Sequence, residues 1–351
     1  MYKISVIMPV YNREKLVKRA VDSVINQSFG FENIELILVD DNSTDETKNV
    51  IKDYAEKYDN IHPIFRETNS GSPNIPRNDG IDNAKSEYIM FLDNDDEYTP
   101  EICEKLYNAI KKYKTDFVEC WCRDISNYKR ERERNIEENI ASTSCVIHNR
   151  EEKDLPKLSG VWNKLYKKSF LDLNNIRFPP NINAEDVFFS LLCYDNVDRW
   201  IEVKYIGYLH IDDLDFLSLS RASNKKIIFG SLKGLDLTIN ILKKNNSKLL
   251  NSPLEAIPNI ALGFLRANLD YSEKNELLNK YWHLFKNYKN YDCLSLSYPM
   301  KVYMKLFTFD KKIAIIMSYI YKYLKLDSIF YNKKIYNYIR SLAGGGYNFG
   351  E

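Results

Sequence analysis

The sequence predicts an α/β fold, an open and mostly parallel sheet flanked by helices, followed by a mainly α-helical C-terminal domain. Short apolar runs rich in β-branched residues alternate with helical patterns through residues 1–125, which is typical of βαβ units. Residues 126–222 mix short helices and strands, and the pattern from 223 to 351 is helical. A chain of this length usually forms more than one domain. We therefore expect two domains, residues 1–222 and 223–351.

The elements of the first domain alternate in order. A helical pattern follows the first strand, a second begins after the capping residues 43–45, and a third opens at Thr99-Pro100. Ligands of open α/β sheets bind beyond the C-terminal ends of the strands, so the residues that follow each strand are candidates for a binding site. The predicted strands are 4–10, 34–40, 62–67, 87–93 and 116–122.

The charge of the chain is nearly balanced, with a formal net charge of +1, which argues against a nucleic-acid partner. The two halves differ, however. Residues 225–351 contain 20 Lys and Arg against 9 Asp and Glu, whereas residues 1–224 contain 30 against 40. Either the two domains have different partners, or both carry ordinary solvated faces.

The cysteines and the apolar segments indicate a cytoplasmic protein. Six cysteines are scattered, and no two pairs have the spacing of a zinc site, so we interpret them as reduced thiols. The N-terminal residues run directly into a strand pattern, which leaves no room for a signal peptide. The apolar stretch 313–321 is too short to span a bilayer.

Polar clusters follow three of the predicted strands. They are residues 9–12 (PVYN), 40–45 (DDNSTD) and 93–96 (DNDD). An acidic residue before a helix is more often an N-cap than a ligand, so any one cluster has a purely structural explanation. Because parallel strands end at the same edge of a sheet, the three clusters together indicate a binding site.

The third cluster holds three carboxylates within four residues, Asp93, Asp95 and Asp96. Such groups repel one another unless a cation or several donors compensate. One or two carboxylates together with substrate phosphates commonly bind Mg²⁺ or Mn²⁺. We predict a divalent metal here; an acidic loop without metal is the alternative.

The segment 69–80 has the composition of a loop that enters a helix. Gly71 and its small neighbours allow close approach of the backbone to a ligand. Arg77, at the start of the helix, is a candidate for contacting a phosphate or a base edge. No Gly-x-x-x-x-Gly-Lys phosphate loop is present, which argues against nucleotide hydrolysis by that route.

Four ordered motifs resemble those of the family 2 glycosyltransferases, which have the GT-A fold. They are SVIMPVYN, LVDDNSTDET, PRNDGIDNA and YIMFLDNDDEY, and the resemblance covers about residues 3–221. In detail the chain is similar to bacterial and archaeal enzymes that build or decorate surface polysaccharides and teichoic-acid-like polymers. The resemblance implies a nucleotide-sugar-binding part at 1–125 and an acceptor-side part at 126–222.

The resemblance also implies the residues that bind the donor. Tyr11 matches the aromatic residue that stacks on the nucleotide base, and Pro9 opens its turn. Asp41 matches the acid that accepts from the uracil N3–H, so a UDP-linked donor is expected. Arg77 matches an arginine near the base and the phosphates, and Asn69 begins the same loop.

For the metal, the resemblance implies Asp95 as the ligand of Mn²⁺ or Mg²⁺, with Asp96 as a second candidate. Asp93 matches the residue beside the ribose or the sugar. His210 lies where some members place a late metal or diphosphate contact, although a lone histidine is more often structural. A divalent cation would stabilise the negative charge of the departing nucleoside diphosphate.

Residues 183–189 (NAEDVFF) fit the family's ED motif at the start of a helix. The resemblance implies Asp186 as the general base that takes the proton of the acceptor hydroxyl, as an inverting displacement requires. It gives Glu185 a supporting or acceptor-binding role. Judged without the resemblance, both are ordinary first-turn acids favoured by the helix dipole.

Residues 161–165 (VWNKL) resemble the family's W-x-K-L stretch. Lys164 is a candidate contact for donor phosphate or sugar, and Trp162 is a candidate wall for the sugar. A core tryptophan beside a surface lysine is the alternative. The chain departs from common family members at 211–216 (IDDLDF), where basic residues are usual.

The basic, aromatic-rich stretch 301–342 has helical spacing. It predicts a peripheral membrane contact or a homo-oligomer contact; packing helices with basic outer faces are the alternative. A membrane contact would place the protein at the inner face of the cell membrane, near a lipid-linked or cell-envelope acceptor.

Together these features predict an inverting hexosyl- or N-acetylhexosaminyltransferase. It would move a sugar from a UDP-linked donor to a hydroxyl of a glycan, polysaccharide or lipid-linked acceptor. A nucleotidyltransferase is one alternative, but its Gly-rich, basic N-terminal loop is absent from PVYNRE. A non-catalytic glycan-binding or scaffold protein is another, and the intact acidic motifs argue against it.

Overall fold

A computed structural model of the chain divides into two compact units. The first comprises Met1–Asn181 with Glu185–Leu217, and the second comprises Ile182–Ala184 with Ser218–Glu351. The predicted boundary at residue 222 lies outside the described residues and stays a prediction. The structure describes residues 1–125, 144–150, 160–183, 185–211, 225–249 and 269–288, and scattered residues between 253 and 264 and between 310 and 318.

The first unit begins with four parallel strands. β1 (Ile4–Val10) lies between β2 (Ile34–Asp40) and β4 (Tyr88–Phe91), and β3 (Ile61–Phe65) pairs with the outer side of β2. Every residue of β1 and β2 is buried, as expected for strands covered by helices on both faces. The helices between these strands are α1 (Val17–Ile25), α2 (Thr47–Lys57) and α3 (Asn74–Asn83).

The other half of the sheet is mixed. β8 (Lys164–Lys167) pairs antiparallel with β4 and with β6 (Phe117–Ile125). β9 (Arg199–Ile211) pairs parallel with β6, and antiparallel with β5 (Glu97–Tyr98) and β7 (Cys145–Asn149). The order is β3-β2-β1-β4-β8-β6-β9-β5, with β7 beside β9. The predicted α/β class is confirmed, but the parallel run ends at β4, because β8 returns antiparallel between β4 and β6.

The remaining helices of the first unit cover this half of the sheet. They are α4 (Ile102–Tyr113), α5 (Lys168–Leu173) and α6 (Glu185–Asn196). Phe189 of α6 packs on Phe91 of β4 with ring centroids 5.7 Å apart and stacks on Phe178 at 4.2 Å. These rings fix the start of α6, and with it Glu185 and Asp186, close to the C-terminal end of β4.

The described part of the second unit is helical, in agreement with the sequence pattern. α7 (Lys225–Lys244) and α8 (Tyr271–Tyr288) contribute to one apolar core, in which Leu232, Leu277 and Phe285 are fully buried. Most of the basic stretch 301–342 lies outside the described residues, so the predictions made for it stay open.

No helix among the described residues combines the length and the apolar character needed to cross a membrane.

Candidate active site

The three polar clusters meet at the C-terminal ends of β1, β2 and β4. The Asn12 amide donates to the Ser43 hydroxyl at 2.9 Å, and Asn94 Nδ2 donates to the Pro9 carbonyl at 2.7 Å. Asn12 has a φ of 50°, a left-handed conformation that asparagine adopts more readily than most residues. The hydrogen bonds join the ends of three strands that are far apart in sequence, as the parallel topology predicts.

Tyr11 projects from this edge of the sheet with 42% of its surface exposed. Its backbone is held by its neighbours, since the Thr44 amide donates to Asn12 Oδ1 at 2.8 Å. An exposed aromatic ring on an ordered backbone can stack on a planar base without reorganisation.

Asp41 ties the loop that begins at Asn69 to the end of β2. Its carboxylate accepts from the Ser70 amide at 2.9 Å and the Ser70 hydroxyl at 2.8 Å, and it lies 2.9 Å from Arg66 Nε. Asn69 Nδ2 donates to the Asp41 carbonyl at 2.9 Å. Gly71, with a φ of 74°, allows the loop to turn back at this point. The carboxylate is thereby buried at the strand end with a fixed orientation.

Arg77 lies at the centre of the acidic groups and is only 2% exposed. Its Nη2 donates to Asp93 Oδ1 at 2.8 Å, while Nη1 donates to Asp186 Oδ1 at 2.9 Å and to Glu185 Oε1 at 3.2 Å. The guanidinium carbon lies 5.2 Å from the ring centroid of Phe178. Arg77 therefore links the acidic cluster after β4 to the acidic pair that begins α6.

The ionisation of this group is strongly perturbed. Removal from water raises the pKa of Asp186 above its ordinary value, and the charge of Arg77 opposes this shift. Removal from water also raises the pKa of Glu185 to about 7, and the charge of Asp186 adds to the effect. A carboxylate with a raised pKa beside a fixed cation has the properties of a general base.

Asp96 is engaged inside the protein. It accepts a hydrogen bond from the Tyr208 hydroxyl and another from the Ile211 amide at 2.8 Å. Burial, followed by the charges of Asp93 and Asp95, raises its pKa to about 8. Both carboxylate oxygens thus have protein donors, which favours a structural role over metal binding.

Asp95 occupies a different environment. Burial and the charge of Asp93 raise its pKa, whereas the charge of Arg13 acts in the opposite direction. The Oδ1 atom of its neighbour Asn94 is buried without a hydrogen-bond partner. A partly buried carboxylate beside an oxygen atom without a hydrogen-bond partner fits a hard divalent cation.

The described side chains do not form a complete metal site by themselves. Among them, no three His, Cys, Asp or Glu side chains are grouped closely enough to bind a metal. Mg²⁺ and Mn²⁺ commonly take one or two carboxylates and complete their shell with substrate phosphates and water. The residues around Asp95 therefore fit a cation that is shared with a diphosphate.

His210 lies at the edge of the acidic site. Its Nδ1 is 2.9 Å from Asp124 Oδ1, and its charge lowers the pKa of Asp95. Beside it, Trp162 stacks on Tyr208 with ring centroids 4.2 Å apart. The structure thus brings His210 and Trp162 to the same part of the sheet as the acidic cluster.

Lys164 is fully buried, so the alternative of a surface lysine is wrong. Its Nζ donates to the Gly160 carbonyl at 2.8 Å and lies 3.3 Å from Glu119 Oε2. Glu119 also accepts from the Tyr194 hydroxyl at 2.7 Å and from Trp200 Nε1 at 3.0 Å. These groups enclose the Lys164 ammonium inside the protein, which favours a structural role over a contact with the donor.

Several residues of the site were not among the sequence candidates. Arg66 and Ser70 hold Asp41, Tyr208 holds Asp96, and Arg19 Nη2 donates to the Asp95 carbonyl. Arg13 directly follows the PVYN motif, so its position in the sequence was an available signal. No sequence signal pointed to Tyr208, because its partner Asp96 lies more than a hundred residues away along the chain.

The chain belongs to glycosyl transferase family 2. The model of that family matches residues 5–173. EpsH of Bacillus subtilis (strain 168) is 32% identical over 261 residues, which cover 69% of this chain and 70% of EpsH. The resemblance described from the sequence motifs is therefore confirmed.

Two further relatives have more specific names. The poly(ribitol-phosphate) beta-glucosyltransferase of Bacillus spizizenii is 37% identical over 194 residues, 55% of this chain and 29% of the relative. TarP of Staphylococcus aureus, a poly(ribitol-phosphate) beta-N-acetylglucosaminyltransferase, is 33% identical over 225 residues, 61% of this chain and 64% of TarP. The chain thus spans less than two thirds of the length of either relative.

Solved structures share the fold. Residues 1–349 of S. aureus TarS in complex with UDP-GlcNAc match with a TM-score of 0.55 and 22% identity, over 99% of this chain and 94% of that one. The mannosyltransferase PcManGT from Pyrobaculum calidifontis, in complex with GDP-Man and Mn²⁺, matches with a TM-score of 0.51 and 14% identity, over 93% and 88%. At these identities the matches show the GT-A fold alone.

Proposed function

We propose that the chain transfers a hexose or N-acetylhexosamine from a UDP-linked donor to a hydroxyl of a cell-surface polymer, with inversion at the anomeric carbon. The observation that carries the proposal is the position of Arg77. One buried guanidinium contacts both Asp93, at the strand ends, and Asp186, at the start of α6. Donor and base would therefore meet at one fixed place.

The donor would lie along the ends of β1, β2 and β4. Tyr11 stacks on uracil, Asp41 accepts from its N3–H, and Pro9 and Asn69 shape the walls around the base. Asp93 faces the ribose or the sugar. Support comes from the exposure of Tyr11, from the fixed orientation of Asp41, and from TarS, which shares the fold and was solved with UDP-GlcNAc.

The transfer step needs one proton acceptor. Asp186 takes the proton of the acceptor hydroxyl, and the acceptor oxygen forms a bond to the anomeric carbon. The bond from that carbon to the donor phosphate breaks on the opposite face, and UDP leaves with the electron pair. Arg77 orients the Asp186 carboxylate, and Glu185 supports it or binds an acceptor hydroxyl.

Asp95 would hold a divalent cation, Mn²⁺ or Mg²⁺, together with the donor diphosphate. The cation would stabilise the negative charge of the leaving UDP. The partly buried Asp95 carboxylate beside the unpartnered Asn94 Oδ1 supports this assignment, and PcManGT, a protein of the same fold, was solved with Mn²⁺. His210 is a second candidate contact at the edge of that site.

The names of two relatives support a proposal for the acceptor class. Two of them are poly(ribitol-phosphate) glycosyltransferases, so we propose a teichoic-acid-type polymer as the acceptor. The cytoplasmic side of the membrane is the place that we propose for this reaction. A peripheral membrane contact through residues 301–342 is part of the same proposal.

The proposal is tested by incubating the purified chain with UDP-GlcNAc or UDP-glucose and purified poly(ribitol phosphate), with and without Mn²⁺. We expect UDP release and a matching gain in polymer mass, dependent on the metal and absent with GDP-mannose. A nucleotidyltransferase would form pyrophosphate instead, and a scaffold protein would form neither product. Absence of sugar transfer from both UDP donors would overturn the proposal.

A further inference from the structure

An exposed tryptophan lies on the sheet beside the proposed site. Trp121 of β6 has 45% of its surface exposed, and its Nε1 donates to Glu202 Oε1 of β9 at 2.5 Å. Glu202 Oε2 lies 3.0 Å from His148 Nε2 of β7. His148 in turn stacks on the buried ring of Trp200, with centroids 5.2 Å apart. Contacts across three strands therefore fix the orientation of the Trp121 ring.

Nearly half of the Trp121 surface stays exposed although the ring is held in place. The polar edge of the indole is satisfied by Glu202, so what Trp121 offers is a flat π surface rather than a hydrogen bond. Such a surface packs against the C–H groups of a sugar or polyol. The carboxylate oxygens of Glu202 at its rim keep lone pairs that can accept hydrogen bonds from hydroxyl groups. A polyhydroxylated chain matches this combination.

β6 and β9 lead from Trp121 towards the acidic site. Beyond Trp121 on β6, Cys122 is in register with Tyr208 of β9, and Asp124 is in register with His210. Trp121 and Asp124 are separated by about 10 Å of strand. Tyr208 is also the residue that holds Asp96. A chain bound over Trp121 would therefore lie within a few of its own units of the proposed reaction centre.

We propose that Trp121 is a stacking platform for acceptor units beyond the one that reacts, and that Glu202 positions its ring. The occupant is the hydroxylated acceptor polymer itself. Its phosphates would not face an isolated carboxylate, because Glu202 is shared by the indole N–H and His148. Lys204, two residues further along β9, is exposed and positively charged. This inference rests on the proposed function, which requires a polymeric acceptor.

The test compares a long poly(ribitol phosphate) chain with a single ribitol phosphate unit as acceptors of the full chain. Trp121→Leu keeps an apolar side chain but removes the flat ring, and we expect it to raise KM for the polymer about tenfold. KM for the single unit and kcat should change much less. Trp121→Phe should restore most of the affinity, and Glu202→Ala should raise the polymer KM by a smaller factor.

Leu173→Ala is the control, because Leu173 is another exposed apolar residue of the first unit but lies on α5 rather than on β6 or β9. It should leave the polymer KM as it is. An unchanged polymer KM in Trp121→Leu, or an equal rise in KM for polymer and single unit, would overturn the proposed platform. Neither result would contradict the proposed sugar transfer. If the unmodified chain transfers no sugar, the proposed function fails, and the platform fails with it.

Discussion

Arg77 Nη1 lies 2.9 Å from Asp186 Oδ1, and the same guanidinium holds Asp93 at 2.8 Å through Nη2. The fork of an arginine binds two groups in fixed directions. Arg77 therefore sets the direction in which Asp186 points relative to the ends of the strands. Changes at Arg77 should alter the stability of the fold and the rate of transfer.

Replacing Arg77 by Gln leaves three carboxylates without their cation. We expect it to lower the free energy of unfolding by about 3–5 kcal/mol, as for other buried ion pairs that lose one partner. Arg77→Lys keeps the charge but not the fork, so it should retain more stability while kcat still falls. Denaturant unfolding and initial rates measure the two effects.

Arg177→Gln provides the control for that experiment. Arg177 also contacts two carboxylates, Asp82 and Asp172, but it is partly exposed. Replacing Arg177 should lower the free energy of unfolding by less than about 1 kcal/mol. Equal destabilisation by the two Gln variants would contradict the special role of Arg77.

The pH dependence of transfer reports on the proposed base. The pKa of Asp186 is raised above its ordinary 3.8 by removal from water, and a base is active only when deprotonated. The value of kcat/KM should therefore fall as the pH is lowered through this raised pKa. Arg77→Gln removes the opposing charge, so the pKa should rise further and the acid limb should move to higher pH.

Glu185→Gln identifies the group whose titration produces the acid limb of the pH profile of kcat/KM. The limb should persist in this variant if Asp186 is the base. Its disappearance in Glu185→Gln, or a limb that stays in place in Arg77→Gln, would assign the titration to another group.

Tyr11 should contribute to UDP binding and little to stability. Stacking of a base on an aromatic ring is worth about 1–3 kcal/mol, so Tyr11→Ala should weaken UDP binding by that amount in calorimetry. Tyr11→Phe should bind nearly as well as the unmodified chain. Because Tyr11 is exposed, the melting temperature should hardly change. Tight UDP binding by Tyr11→Ala would show that the base binds elsewhere.

Asp95 and Asp96 should behave differently despite being adjacent. Asp95→Ala should abolish the increase in UDP affinity caused by Mn²⁺ without lowering the melting temperature. Asp96→Ala leaves the Tyr208 hydroxyl and the Ile211 amide without their acceptor, and each unpaired buried group costs about 1–3 kcal/mol. Calorimetry and thermal melting separate the two effects. A metal response that survives in Asp95→Ala would move the cation to another residue.

Much of the first unit could be predicted because its signals are local. The apolar runs at 4–10 and 34–40 became β1 and β2 with the same bounds. Parallel strands then bring the residues that follow them to one edge of the sheet. Tyr11 and Asp41 accordingly lie together, although nothing in their immediate sequence links them.

The contacts that complete the site depend on long-range pairing. Arg77 was expected near a base or phosphates, whereas the structure pairs it with carboxylates more than a hundred residues further along the chain. Lysine is usually a surface residue, yet Glu119 and Gly160 enclose Lys164 inside the protein. The burial of Lys164 follows from β8 entering the sheet between β4 and β6, and no local pattern records that order.

The most direct test of the proposed base is a single-turnover comparison of Asp186→Asn with the unmodified chain, with UDP affinity measured alongside. Asn keeps the shape of the side chain and an oxygen for Arg77 but cannot take a proton. We predict that the transfer rate falls by about 10²–10⁴ while UDP affinity is retained, and that Asp53→Asn, an exposed site on α2, changes neither. Transfer at the unmodified rate by Asp186→Asn would contradict the assignment of Asp186 as the base.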